Sequence, residues 1–127
     1  LYTSLLPNLL VPDLMEAVRA SRAAKFFVCN VATEPGETDG YSCGDHLRAL
    51  ENHVGGRLFD VAIVNTLNAG RLPEGGDWVL LEPDLQEDYP IYAADTLDIF
   101  YPWRHDSQKL AQIVMDLFQE RTGPLVQ

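Results

Sequence analysis

The sequence has no apolar run approaching the roughly 18 residues that a membrane-spanning helix requires. It has only two cysteines, Cys29 and Cys43, and no C-x-x-C pair, so neither a zinc cluster nor a disulfide framework is written into it. It is poor in positive charge: nine Lys and Arg stand against nineteen Asp and Glu, a formal net charge of -10. That excludes broad binding to nucleic-acid backbones, which needs a basic surface. It leaves room for a small anionic ligand, because a few arginines and backbone amides suffice. No Walker motif and no nucleophile elbow with a Ser-His-Asp order occurs. The chain opens on Leu1 without a methionine or a leader, which reads as the middle of a longer protein, and a cytoplasmic location is the default expectation.

What is present is a foldable α/β pattern. The 127 residues are 46% apolar, enough for one unit with a real core. Pro12 sits where a first helical position is wanted, and Leu10, Leu14, Ala17 and Val18 keep helical spacing to about Ser21. Lys25 to Asn30 is a short apolar run that predicts a buried strand. A loop rich in Gly, Pro and acid follows, and then Ser42 with Asp45 three residues on, a capping box. Cys43, Leu47, Leu50 and Val54 line one face of the helix so opened, and Gly55-Gly56 stops it. Asp60 to Asn65 predicts a second strand, Trp78 to Leu81 a third and Ile91 to Asp95 a weaker fourth. Leu110, Ile113, Val114, Leu117 and Phe118 define a last helix that starts near Asp106-Ser107 and stops at Gly123-Pro124. Met15 and Met115 fall in helical patterns and are expected in the core. Strands alternating with helices predict an α/β fold, Rossmann-like and three-layered, with a mostly parallel sheet and helices on both faces.

Such sheets bind ligands beyond the carboxyl ends of their strands. Asn30 and Asn65 each close a strand, so both fall at that edge. An amide offers a donor and an acceptor together, suited to a ring such as uracil or to sugar hydroxyls, while Asn is also an ordinary turn residue after a strand. Thr38, Asp39 and Tyr41 stand in front of a helix N-terminus, where they either contact a ligand or form a capping loop with Tyr41 stapled on His46. Arg104-His105-Asp106 precedes the last helix. Arg104 suits bidentate phosphate recognition, and His105 with Asp106 is either an acid–base pair or a helix cap. Tyr2, Thr3 and Ser4 form a hydroxyl-rich turn. Cys43 at a helix start is read as a small buried residue.

The runs L-Y-T-S-L-L-P-N-L-L-V, V-C-N-V-A-T-E-P-G-E-T-D-G-Y-S and Y-P-W-R-H-D, in this order, resemble the carboxyl-terminal half of the gluconeogenesis-factor family. That family sits in the superfamily of 2-phospho-lactate transferase (CofD-like) proteins. The resemblance covers nearly the whole chain and is strongest from Leu1 to His46. It implies a Rossmann-like fold, binding of a nucleotide-sugar with UDP-N-acetylglucosamine as the expected ligand, and a regulatory role in bacterial cell shape and wall synthesis on gluconeogenic carbon sources. The family's glycine-rich first strand-turn-helix is absent, so the resemblance implies that residues 1–127 are one α/β unit incomplete as a binding unit. Carried over by position, Tyr2, Thr3, Ser4 and Asn8 approach the phosphates or sugar, Arg104 supplies fixed charge, and Thr38, Asp39 and Tyr41 border the same cleft. Association with the missing amino-terminal half or with another copy is expected. The alternative is a transferase that moves a phospholactyl group from a nucleotide-activated donor to a deazaflavin. Only that reading implies a divalent metal, held by acidic residues in the half not present. A third reading is a fragment with an assembly role alone.

Overall fold

The sheet is built from three short apolar segments whose backbone groups must be paired because both faces are covered. In the computed structural model, which describes residues 1–122 with the side chain of Thr122 excepted, β1 (Phe26–Val28) pairs in parallel with β2 (Val61–Asn65), Phe26 opposite Val61. β3 (Ile91–Ala94) pairs in parallel along the other edge of β2, Ala62 opposite Ile91, so the order is β1-β2-β3. The centre strand β2 is buried throughout, as its run of Val, Ala, Ile and Val requires.

Among the described residues five helices accompany the sheet: α1 (Leu6–Leu9), α2 (Pro12–Ala20), α3 (Cys43–Val54), α4 (Leu85–Asp88) and α5 (Ser107–Thr122). The two-residue alternation of the strands divides the core between two layers. Phe27, Cys29, Ala62 and Val64 pack with Leu6, Leu9, Cys43, Leu47 and Leu50 of α1 and α3. Val61 and Ile63 pack on the opposite face with Ile113 and Leu117 of α5, joined by Phe26, Val28 and Tyr92. This is the three-layer, Rossmann-like α/β arrangement that the sequence pattern predicts. The capping box of α3 forms in both directions: Asp45 N–H donates to Ser42 Oγ at 3.2 Å, and Ser42 N–H donates to Asp45 Oδ2 at 2.9 Å. Tyr41 meets His46 edge-to-face at 5.5 Å, and Gly55 closes the helix in the left-handed region at φ 83°.

Two expectations fail. Trp78 to Leu81 forms no strand of the sheet. It runs antiparallel to the chain just past β1, with a bridge between Ala32 and Trp78. Val79 N–H donates to Val31 O, and the Leu80 carbonyl accepts Cys43 N–H at 2.8 Å, one of the amides that the start of α3 leaves without an intrahelical partner. Its backbone groups thus brace a loop and a helix end, and the third strand is the weaker Ile91 run instead. Met115 is 52% exposed on α5, whereas Met15 packs against the core. The stop at Gly123-Pro124 lies outside the described residues.

Candidate functional site

β1 ends at Val28, and the chain beyond it enters the loop that carries Asn30 to Pro35. A cleft of about 350 Å³ opens there, lined by Asn30, Val31, Ala32, Thr33, Glu34 and Pro35 from this loop, Pro73 and Gly76 from a second, and Trp103, Arg104 and His105 from a third.

The third loop is pinned from below. His105 Nε2 lies 2.9 Å from the Cys29 carbonyl, and its Nδ1 lies 2.7 Å from Thr96 Oγ1. A carbonyl only accepts, so Nε2 carries the proton and the Thr96 hydroxyl donates to Nδ1. Burial pushes the His105 pKa below its ordinary value, which suits this neutral tautomer. Thr96 is fully buried, and its N–H donates to Asn65 Oδ1 at 3.1 Å. The loop closes on itself through Asp106 N–H to Thr96 O at 2.7 Å. Asp106 caps α5, accepting from the Gln108 and Lys109 amides at 2.9 and 3.0 Å, so it does not partner His105.

Arg104 projects from this braced loop. Its Nε lies 3.5 Å from Asp98 Oδ2, and its guanidinium carbon sits 4.2 Å from the centre of the Tyr101 ring. Burial pushes the Asp98 carboxyl up, but the Tyr101 and Phe100 amides, with Arg104, outweigh it and hold the group below the usual carboxylate range. Asp98 is thereby kept charged against Nε. The two Nη groups have no hydrogen-bond partner among the described residues, and the side chain is 59% exposed. An oriented fork with a free leading edge is what bidentate recognition of a phosphate needs.

The ten residues singled out in the sequence do not converge on one cavity. Asn30 and Arg104 share the cleft, and the Asn30 carboxamide bonds to no described residue. Ser4 lines an adjoining cavity of about 190 Å³ that also touches Asn30, Glu34 and His46. Tyr2, Asp39 and Tyr41 face a separate open groove beside Arg48 and His53, where the Tyr2 and Tyr41 hydroxyls hydrogen-bond at 2.8 Å. Thr38 is fully buried, and its hydroxyl accepts the Glu34 amide. Asn65 is spent on the Leu67 backbone and the Thr96 amide. Asn8 donates to Ser4 O, and the Thr3 amide donates to Glu37. The sequence reading missed Trp103, Pro35 and Pro73 as cleft walls. A tryptophan one residue before an arginine was the available signal.

A family profile described as 2-phospho-L-lactate transferase CofD matches residues 1–75. The chain belongs to the CofD family. Among its relatives, the gluconeogenesis factor of Bacillus subtilis is 36% identical over 94% of this chain and 41% of its own length. A relative from Aquifex aeolicus is 37% identical over 94% of this chain and 39% of its own length. A crystal structure of a Bacillus halodurans protein superposes with a TM-score of 0.80 at 31% identity, covering 90% of this chain and 40% of that one. This CofD-family chain therefore spans about two fifths of the length of the relatives it matches, and it corresponds to their carboxyl-terminal part. Among the described residues no three His, Cys, Asp or Glu side chains are grouped to hold a metal ion, and no helix is long and apolar enough to cross a membrane. Asp98 is committed to Arg104 and Asp106 to the cap of α5, while Glu34 is the carboxylate that lines the cleft itself.

Proposed function

We propose that this chain supplies the phosphate-recognising wall of a nucleotide-sugar site, with UDP-N-acetylglucosamine as the ligand. In this reading it acts as a cytoplasmic regulatory protein of the gluconeogenesis-factor group, tied to cell shape and wall synthesis. The observation that carries the reading is Arg104, whose Nε and guanidinium face are engaged by Asp98 and Tyr101 while neither Nη has a hydrogen-bond partner among the described residues, at a cleft beyond the carboxyl end of β1. Local contacts must do this work, because a net charge of -10 repels a diphosphate at long range. Asn30 adds a donor and an acceptor to the same cleft.

The test is calorimetric titration of UDP-N-acetylglucosamine into the full-length protein that carries this sequence. A charge-assisted contact is worth about 1.5–3 kcal/mol, so Arg104→Ala is expected to weaken binding about 10- to 150-fold. Arg104→Lys recovers only part, since a point charge cannot reproduce the planar fork. Wild-type affinity in Arg104→Ala, with an unchanged melting temperature, refutes this assignment.

A further inference from the structure

The Arg104 cleft has a second feature that phosphate binding does not use. Trp103 lines it while remaining 46% exposed. Its indole is held edge-to-face by Tyr101 at 5.5 Å and 75°, and Tyr101 in turn lies under Arg104. One ring therefore orients both the cation and the indole. The remaining walls include Pro35, Pro73 and Ala32, apolar surfaces without donors on their side chains. Loop 66–77 is seated against this end of the third loop: a Cβ built on Gly70 would come within 3.1 Å of Pro102. An exposed, oriented aromatic face beside a cation and apolar walls is suited to a flat ring, because stacking needs area without hydrogen bonds from the faces.

We propose that Trp103 is the stacking surface for the nucleobase of the ligand, and that it separates base-bearing ligands from base-free sugar phosphates. This rests on the reading of Arg104 as the phosphate anchor. The ring stacks on Trp103, and the phosphates reach the Nη groups of the next residue.

The test compares the full-length protein with its Trp103→Leu, Trp103→Phe and Arg104→Ala variants. UDP-N-acetylglucosamine and base-free N-acetylglucosamine 1-phosphate are the two probes, and each variant is checked for an unchanged melting temperature. Trp103→Leu is expected to weaken the UDP-sugar roughly 5- to 150-fold, the range of base–aromatic stacking, and to leave the sugar phosphate unchanged. Trp103→Phe restores most of the loss. The UDP-sugar also quenches a component of tryptophan emission that is present in the wild type and missing in Trp103→Phe. Wild-type UDP-sugar affinity in Trp103→Leu, alongside loss in Arg104→Ala, overturns the stacking role and leaves the phosphate anchor standing. Equal weakening of both probes by Trp103→Leu also overturns it, since the ring would then only shape the loop that carries Arg104. Failure of the wild type to bind the UDP-sugar overturns both proposals.

Discussion

His105→Ala tests whether the loop that presents Arg104 is held by the imidazole. The substitution removes two hydrogen bonds, to the Cys29 carbonyl at 2.9 Å and from the Thr96 hydroxyl at 2.7 Å. Both partners are buried, Cys29 being 1% exposed and Thr96 fully enclosed. Each buried group left without its partner costs about 1–3 kcal/mol, so the expected destabilisation is about 2–5 kcal/mol, allowing for water entering the space left by the ring. That is a large share of the roughly 5–15 kcal/mol that holds a domain folded. By contrast, Asp98→Asn weakens only a partly exposed ion pair and is expected to shift the unfolding midpoint far less than His105→Ala. Thr96→Val leaves Nδ1 without its donor and is expected to cost about 1–3 kcal/mol. The assay is urea unfolding of the two single variants and the double variant, read by linear extrapolation. Because the two residues share a bond, the double variant should lose less than the sum of the singles, by about 0.5 kcal/mol or more. A loss below about 0.5 kcal/mol in His105→Ala, or strict additivity in the cycle, refutes the bracing role.

His46 and His105 are both held below their ordinary value of 6.5 by burial, so just below that pH the unfolded chain binds more protons than the folded one. Stability is therefore complete above this window and falls as pH drops through it. The melting temperature should decrease between about pH 7.5 and about 5.5, and an unchanged or higher value contradicts the assignment. Gly44→Ala places a Cβ 2.1 Å from Glu82 Oε2, in a side chain that accepts the Gly44 amide at 2.9 Å. Glu82 can swing away, but losing that charge-assisted bond (about 1.5–3 kcal/mol) outweighs the helix gain of about 1 kcal/mol, so chemical denaturation should show a net loss near 1 kcal/mol. Leu10, Val11 and Leu14 are 54%, 49% and 43% exposed around α2, and β1 and β3 are edge strands. The isolated chain is expected to associate in sedimentation velocity and Leu14→Glu to reduce that association; a monomeric wild type counts against it.

Local chemistry was readable from the residues because it acts over a few positions. The Ser42–Asp45 capping box, the glycine stop at Gly55, the helix register of Cys43, Leu47 and Leu50, and the runs of β1 and β2 all depend on neighbours three or four apart or on simple alternation. The carboxyl-end location of Asn30 followed from the parallel α/β pattern, whereas Arg104 was tied to that cleft only through the family resemblance. Which apolar run joined the sheet did not follow. Trp78 to Leu81 is the stronger strand pattern and Ile91 to Ala94 the weaker, and the choice turned on partners 37 to 48 residues away at Thr33, Ala32, Val31 and Cys43 for the one, and on β2 for the other. The separation of Tyr2 and Tyr41 from Ser4 into two cavities, neither of them the Arg104 cleft, was likewise a tertiary outcome. So was the division of labour between two asparagines at one sheet edge, where Asn65 was consumed by Leu67 and Thr96 and Asn30 was left facing the cleft. Hydrogen-bond demand at that edge is set by loops that meet only after the sheet has formed, and no spacing along the chain encodes which side chain will meet it.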